Sequence, residues 1–263
     1  MSWRLYADLG NATLHWGVFP DTDSHDAECL AHDRISALPE EFGQSCPFSL
    51  NAMLDEAGET LADYAGGLLC SSNPALTPDF VRALERSTGI RLPELTSAMT
   101  AHIRTSYHDR TQLGLDRFAN AAAVLAHYGR PAVVADLGTC ITVDLINAKG
   151  VLVGGAIAPG LPIMFVGIAA QTPHLVPSLD RMEPPANLTK PGRSTEECLA
   201  LGIYSTLLGA TLSLCAQLSF ELPSASIILT GGDAICVQSM SNFGDVFDEI
   251  LTLKGLQALD LRH

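Results

Sequence analysis

Residues 7–13 read Ala7-Asp8-Leu9-Gly10-Asn11-Ala12-Thr13, and residues 135–141 read Ala135-Asp136-Leu137-Gly138-Thr139-Cys140-Ile141. Each copy follows a short apolar run, Trp3–Tyr6 or Ala132–Val134, and each precedes another, Leu14–Phe19 or Thr142–Ile146. Apolar runs of this length that are bounded by a glycine turn are typical of buried strands. The sequence therefore predicts the same strand–turn–strand unit twice in one chain.

The repeated turn suits the binding of phosphate groups. Glycine allows a tight bend and brings backbone N–H groups close to a phosphate. The polar residues Asn11, Thr13 and Thr139 can donate hydrogen bonds, and Asp8 or Asp136, near the end of each strand, can hold a cation or a metal-bound water. We expect the two turns to contact the phosphates of one nucleotide from both sides. For either copy alone, an ordinary hairpin turn is the alternative.

The composition indicates a folded protein that avoids polyanions. The chain has 263 residues, of which 47% are hydrophobic and 17% charged, so it can bury a sizeable core. Its formal net charge of −14 repels nucleic-acid phosphates and anionic lipid, so we expect no nucleic-acid partner and no membrane partner. The seven cysteines form no Cys-x-x-Cys pair, which favours a reducing compartment over a disulfide framework or a zinc site. Without a signal-peptide core or an unbroken apolar span, the chain is expected to be cytoplasmic.

Several helices and one further glycine turn can be placed on the sequence. Helices are predicted near Thr77–Thr88, over residues 113–128, and from a capping box at Ser194–Glu197 to about Phe220. A buried strand over Ala225–Leu229 runs into a third glycine turn at residues 230–234. Beyond Asp245 the sequence indicates no element. Asp144, which follows the second turn, is predicted to be a surface or hairpin residue.

Taken in order, the motifs resemble those of the type III pantothenate kinases, members of the actin/hexokinase superfold. The matching motifs are Asp8–Asn11, Gly114-Leu115-Asp116-Arg117, Asp136–Thr139, Gly154–Gly160, Gly192–Thr195 and Thr230–Gly232. The resemblance spans roughly residues 3 to 235. It implies an α/β fold of duplicated actin-like ATPase (ribonuclease H-like) halves, with mixed sheets and a nucleotide cleft between them. We predict an N-terminal half over residues 1–112 with the first phosphate loop. The remaining half, 113–263, would carry the substrate loop, the second phosphate loop, the adenine turn and a dimer helix.

The resemblance also implies a role for each matching residue. ATP would contact Asp8, Leu9, Gly10, Asn11, Ala12, Thr13, Leu14, His15, Thr139, Gly231 and Gly232, with the last two under the adenine. Pantothenate would contact Tyr107, Gly114, Leu115, Asp116, Arg117 and Thr195, the last from the neighbouring subunit of a homodimer with a shared active site. Asp116 would accept the proton of the pantothenate hydroxyl. Asp136 would hold a monovalent cation, K⁺ or NH₄⁺, and Asp8 is a candidate ligand of the Mg²⁺ that accompanies ATP.

Two segments depart from the family pattern. Residues His108–Gln112 stand where an Asn-Pro-like turn is common, and His15-Trp16 replaces small or charged residues at the end of the first loop. Two of the implied roles also have simpler alternatives. Asp116 is favourable at a helix N-terminus through the helix dipole alone. Arg117 could pair with a surface carboxylate instead of the substrate.

Three functions follow, in decreasing order of support. The first is ATP-dependent phosphorylation of pantothenate to 4′-phosphopantothenate, the first step of coenzyme A biosynthesis. The second is another small-molecule kinase or a phosphatase of the same superfold. Those chains are usually longer, with an insertion for which this chain has no room. The third is a non-catalytic regulator that retains the fold, which degenerate phosphate turns or a basic face would have favoured.

Overall fold

The computed structural model of the protein describes residues 2–24, 27–179, 182–220 and 222–261. Within these residues the strands are β1 Trp3–Leu9, β2 Thr13–Pro20, β3 Ala31–Ser36, β4 Tyr64–Ser71, β5 Ala132–Leu137, β6 Cys140–Ile146, β7 Leu152–Pro159, β8 Ser226–Thr230 and β9 Val246–Phe247. The α-helices are α1 Phe42–Ala57, α2 Thr77–Thr88, α3 Leu115–His127, α4 Leu161–Gln171, α5 Val176–Leu179, α6 Thr195–Leu218, α7 Ala234–Ser241 and α8 Leu251–Asp260. Short 3₁₀ helices span Leu61–Asp63, Arg110–Gln112 and Pro173–Leu175.

The strands form two mixed sheets with the same internal order. In the first, β3-β2-β1-β4, strand β1 runs antiparallel to β2 and parallel to β4. In the second, β7-β6-β5-β8-β9, strand β5 runs antiparallel to β6 and parallel to β8. The strands before the two predicted turns, β1 and β5, therefore hold equivalent positions. The predicted repeat and the α/β fold of duplicated halves with mixed sheets are confirmed.

The two faces of the first sheet have different neighbours. Alternate apolar side chains of β1 and β2 pack on α1 and α2, where Trp16 meets Phe80 with 6.1 Å between ring centroids. The intervening residues of β1 point to the opposite face, because successive side chains of a strand alternate. That face carries Tyr6 and Asp8, and α8 packs against it through a hydrogen bond from the Tyr6 hydroxyl to Asp260. Asp8 thus lies on the α8 side of the sheet.

The core of the second sheet is formed with α6 and the neighbouring helices. Buried residues of α6, among them Ile203 and Leu207, pack with Val133 and Val143 of the sheet. By length and composition alone α6 could cross a membrane, with a mean hydropathy of 1.7 over 18 residues, of which 33% are buried. A helix that covers a sheet in a water-soluble protein passes the same test. The exposed residues of α6 are mostly small or polar, among them Gly202, Thr206 and Gly209.

The chain divides at residues other than those predicted. One compact unit comprises Met1–Gly129 together with Leu251–His263, and the other comprises Arg130–Ile250. The units differ from the predicted halves at residue 112, because α3 packs closely on α8 and also contacts β4, so it lies with the first sheet. The end of the chain returns to the first unit for the same reason. The predicted substrate loop at Gly114–Arg117 therefore lies in the same unit as the predicted first phosphate loop.

Candidate active site

The first turn connects β1 to β2 in the first unit. The Gly10 N–H donates to the Thr13 carbonyl at 2.9 Å, which closes the turn. Asn11, Ala12 and Thr13 are exposed, and the Asn11 side-chain oxygen accepts a hydrogen bond from the Asn73 amide at 3.0 Å. The loop thus presents short polar groups to solvent and is fixed from the side by the segment that follows β4.

The loop is shorter than the sequence implied, because Leu14 and His15 lie inside β2 and are buried. The His15 imidazole, 5% exposed, lies 3.3 Å from the His32 ring between their nearest nitrogens. Burial, together with the positive Arg34 and the His32 ring, lowers the pKa of His15 to about 2. His15 is therefore a neutral residue of the strand, and only residues up to Thr13 form the exposed loop.

Two carboxylates approach the buried thiol of Cys70. Burial raises the pKa of Cys70 well above its usual value, and the negative charges of Asp8 and Asp116 raise it further. Asp8 is directly opposite Cys70 in the parallel pairing of β1 with β4. The fold therefore brings Asp8 and Asp116, which are far apart in sequence, to the same end of the first sheet.

Asp116 occupies the first turn of α3, and its carboxylate lies close to Gly114. Its Oδ1 accepts a hydrogen bond from the Arg117 backbone N–H at 2.8 Å, which orients the carboxylate. A Cβ atom on Gly114 would lie 2.3 Å from the same oxygen, closer than any contact a real side chain makes. The absence of a Cβ at Gly114 thus leaves room for this orientation of the carboxylate, which is half-buried.

Arg117 and Tyr107 form a second part of this site. Arg117 is only 5% exposed, and its Nη1 donates to the Tyr107 hydroxyl at 3.2 Å. The guanidinium also lies 5.4 Å from the centroid of the tyrosine ring, within the range of a cation–π interaction. The two predicted substrate residues therefore contact each other.

Sequence reasoning missed Arg110, which stabilises the loop before α3. Its Nη1 donates to the Ile103 carbonyl at 2.7 Å and its Nη2 to the Thr100 hydroxyl at 3.0 Å. The guanidinium also stacks 4.2 Å from the centroid of the Phe118 ring. The departure noted at residues 108–112 is thus a short 3₁₀ turn anchored by one arginine. The only signal in the sequence was an arginine in a segment with no periodicity.

The second unit repeats the turn between β5 and β6. The Gly138 N–H donates to the Cys140 carbonyl at 3.0 Å, and the Gly160 N–H donates to the Thr139 carbonyl at 3.1 Å. A Cβ atom on Gly160 would lie 1.9 Å from the Gly138 carbonyl oxygen, so only glycine allows this approach. Thr139 is half-buried at the tip of the turn.

Asp136 and Gly231 are neighbours in the second unit. Gly231 follows β8 with a φ of 89°, in the left-handed region that favours glycine. A Cβ atom there would lie 2.5 Å from Asp136 Oδ1 and 2.4 Å from the Leu137 carbonyl oxygen. The glycine turn therefore lies directly against the carboxylate at the end of β5. Gly232, the next residue, is exposed.

The remaining predicted residues lie elsewhere in the second unit. Thr195 is the first residue of α6 and is exposed, beside the capping residue Ser194, whose hydroxyl accepts from the Glu197 N–H at 3.2 Å. Residues 183–193 and the first turns of α6 line a cavity of about 840 Å³ next to it. Asp144, predicted to lie at the surface, is only 4% exposed, because it lies in the middle of β6 and opposite Gly155 in β7.

Comparison with solved structures defines the class of protein. The activator of 2-hydroxyisocaproyl-CoA dehydratase from Clostridium difficile, solved with bound ADPNP, aligns with a TM-score of 0.56 at 11% identity and covers 99% of this chain and 93% of its own. A protein from Campylobacter jejuni described as a Baf family transcriptional activator aligns with a TM-score of 0.53 at 17% identity, over 97% of this chain and 95% of its own. The class is the actin-like ATPase and sugar kinase fold.

Sequence comparison then gives the family. The type III pantothenate kinase family matches residues 4–217. A type III pantothenate kinase from Moorella thermoacetica is 28% identical over 260 residues, which cover 98% of this chain and 99% of the relative. The chain belongs to the type III pantothenate kinase family, and it is a kinase.

Proposed function

We propose that the protein transfers the γ-phosphoryl group of ATP to the primary hydroxyl of pantothenate, in the cytoplasm, as the first step of coenzyme A biosynthesis. The observation that carries the proposal is the arrangement of Gly114 and Asp116 at the start of α3. The missing Cβ of Gly114 makes room for the carboxylate, and the Arg117 N–H holds it at 2.8 Å. Membership of the type III pantothenate kinase family supports pantothenate as the substrate.

In this proposal Asp116 acts as the general base. Phosphoryl transfer requires little covalent chemistry from the protein, so the main tasks are to position the hydroxyl and to accept its proton. A carboxylate whose rotamer is fixed by a hydrogen bond and whose neighbour cannot crowd it suits both tasks. Its half-buried position leaves it accessible to a substrate. Asp8, at the same end of the first sheet, supplies negative charge beside the phosphate loop.

Tyr107 and Arg117 would bind the polar groups of pantothenate. The guanidinium of Arg117 is buried against the tyrosine ring and hydroxyl, so its direction is fixed before the substrate arrives. A preordered arginine loses less side-chain entropy on binding than a mobile surface arginine does. Gly114 and Leu115 complete the loop through their backbone.

The glycine turn of each unit suits the binding of ATP. The exposed residues Asn11–Thr13 supply hydrogen-bond donors in the first unit, and Thr139 supplies them in the second. Gly231 and Gly232 would lie under the adenine, where the absence of side chains lets a flat ring approach the backbone.

Two cations are expected with ATP. Asp8 would hold Mg²⁺, which takes one or two protein carboxylates together with phosphate oxygens. Asp136 would hold K⁺ or NH₄⁺ at the end of β5, where Thr142 and Thr230 are its cross-strand neighbours. The cations would offset the charge of the triphosphate beside these carboxylates.

A homodimer would complete the site. Residues of α4 and α6 line an apolar groove of about 500 Å³ that includes Gly167, Gly202 and Ile163. Val166, 69% exposed on α4, extends this apolar surface. A second copy of the chain would cover it, because small residues allow two helices to approach closely. The partner subunit's Thr195 would then contact pantothenate.

The test is to incubate the purified protein with pantothenate, ATP, Mg²⁺ and K⁺ and to look for 4′-phosphopantothenate by mass spectrometry. We expect the product only when all components are present. A panel of sugars, acetate and polyphosphate serves as the comparison. Turnover of one of these in place of pantothenate would reject the proposed substrate, and the absence of turnover with all of them would favour a non-catalytic role.

A further inference from the structure

Helix α8 connects the two elements that carry Asp8 and Asp116. It lies beyond residues 4–217, the part of the chain that matches the family, and no element was predicted from its sequence. It packs along α3, and it also contacts β1 and β4. Three contacts, one near each end of α8 and one in its middle, define how it lies.

The first contact is a buried hydrogen bond between α8 and α3. The Thr252 hydroxyl donates to Asn120 Oδ1 at 2.9 Å, and the two residues are 7% and 2% exposed. Asn120 follows Asp116 by four residues in α3, so both side chains lie on the same face of the helix, one turn apart. The bond therefore acts on the turn of α3 that directly supports Asp116.

The second contact is a close approach of the two helix backbones. A Cβ atom on Gly255 would lie 1.9 Å from the Ala119 carbonyl oxygen. Helices that touch through backbone atoms have little freedom to shift sideways, because no flexible side chain lies between them. The Thr252–Asn120 bond then determines how far α3 can slide along α8.

The third contact joins the end of α8 to β1. The Asp260 carboxylate accepts hydrogen bonds from Arg4 Nη1 at 2.8 Å and from the Tyr6 hydroxyl at 3.0 Å. Arg4, Tyr6 and Asp8 alternate on one face of β1. Asp260 thus ties α8 to the strand that leads into the phosphate loop.

We propose that Thr252 and Asn120 are positioning residues of the kinase. Their hydrogen bond fixes α3 on α8, α8 is fixed on β1 through Asp260, and the distance between Asp116 and Asp8 is set by this chain of contacts. The inference rests on the proposed function, in which Asp116 is the general base. A small displacement of a general base slows the chemical step strongly, whereas the binding of ATP by other residues is unaffected.

The test compares Thr252→Val with Thr252→Ser. Valine keeps the shape of threonine and removes the donor to Asn120, and serine keeps the donor. We expect kcat to fall about 10-fold in Thr252→Val, with KM for ATP within about twofold of wild type, and to recover in Thr252→Ser. Rates are normalised to the concentration of ATP-binding sites, so that partial unfolding does not count as lost catalysis.

Thr211→Val is the matched control. Thr211 is fully buried in α6, and its hydroxyl donates to the Leu207 carbonyl of the same helix at 2.8 Å. This variant also loses a buried hydroxyl, but it has no link to α3, so we expect a lower Tm and an unchanged kcat. A Thr252→Val enzyme that keeps its kcat and only loses Tm, as the control does, would overturn the proposal.

If Thr252→Val does not fold, Asp260→Asn tests the same chain of contacts at its other end. Asparagine keeps the size of the side chain and weakens the contact with Arg4, so we expect kcat to fall by about threefold at unchanged KM for ATP. An unchanged kcat in this variant would equally reject the inference. Failure of the proposed function is distinguishable, because the wild-type protein would then form no 4′-phosphopantothenate.

Discussion

Replacement of Asp116 by asparagine keeps the size of the side chain and removes its ability to accept a proton. If Asp116 is the general base, kcat should fall by roughly 10²-fold or more. ATP binding should stay nearly unchanged, because the phosphates are bound by other residues. Steady-state kinetics with pantothenate and a separate ATP titration measure the two effects.

Asp79→Asn is the matched control for the alternative role of Asp116. Asp79 lies in the first turn of α2 in the same unit, where its charge also interacts favourably with the helix dipole. If Asp116 is only a helix-terminal charge, both variants should lose at most about 1 kcal/mol of stability and keep their turnover. Near-normal kcat in Asp116→Asn would therefore contradict the mechanism.

The buried imidazole of His15 should make the protein sensitive to mild acid. Its pKa is lowered from 6.5 to about 2 in the folded protein, mainly by burial, while the unfolded chain takes up the proton near pH 6.5. The unfolded state thus binds more protons between these values, and the free energy of unfolding falls as the pH drops below about 6.5. From pH 7 to pH 5 the loss is on the order of 2 kcal/mol.

Urea unfolding at pH 7 and pH 5 measures this loss in the wild type and in His15→Gln. The comparison uses the difference between the two pH values, so a constant cost of the substitution cancels. We expect the loss to shrink in His15→Gln and to persist in His174→Gln, which removes an exposed imidazole. An equal loss in all three proteins would show that other groups cause the acid sensitivity.

At the scale of elements, the sequence predicted the parts whose signals are local. Both strand–turn–strand units were found because an Asp-Leu-Gly sequence ends an apolar strand in each copy. The start of α6 was found from its capping box, in which the Ser194 hydroxyl accepts from the Glu197 N–H. In a capping box the glutamate would accept in return from the backbone N–H of Ser194. Here the Glu197 carboxylate accepts instead from the backbone N–H of Arg193 at 2.7 Å.

Helix α8 could not be predicted, because its stability comes from packing. Gly255 lowers the helix propensity of its middle, and Thr252 and Gln257 place polar groups where the helix is buried. Thr252 and Gly255 are explained only by α3, which contributes Asn120 and the close approach at Ala119. The same holds for Arg110, whose partners Thr100 and Ile103 lie in a loop without periodicity.

A monovalent cation should activate the enzyme by binding at the end of β5. Asp136 lies there beside Gly231, and a cation at this point would offset the charge of bound phosphates. Activity should rise steeply when Na⁺ is replaced by K⁺ or NH₄⁺ at constant ionic strength. Asp136→Ala should flatten this response and raise KM for ATP. Equal activity of the wild type in all monovalent salts would remove the cation from the mechanism.

At the scale of the whole molecule, the duplication was predictable and the division of the chain was not. The repeat predicted two halves, and the boundary was placed just before the helix that begins the substrate loop. The structure places α3 in the first unit because its buried face packs on α8, which comes from the end of the chain. A contact between segments so far apart in sequence leaves no local signal in either.

The exposed apolar side chains of α4 also belong to this scale, with Ile163 40% and Val166 69% exposed. Together with α6, this helix lines the groove of about 500 Å³ that contains Gly167 and Gly202. Soluble proteins rarely expose a continuous apolar surface that no partner covers. A two-fold pair of chains that contact each other through this surface would bury it on both sides at once.

A shared active site can be tested by mixing two inactive variants, Asp116→Ala and Thr195→Trp, after reversible dissociation. If each subunit's Thr195 completes its partner's site, one site of a mixed dimer contains both substitutions and the other contains neither. Random reassembly makes half of the dimers mixed, and each has one intact site of two, so about a quarter of wild-type activity should return. If Thr195 serves its own subunit, every site carries one defect and no activity returns. Mass measurement shows whether mixed dimers have formed. If they have formed and no activity returns, the active site is not shared between subunits.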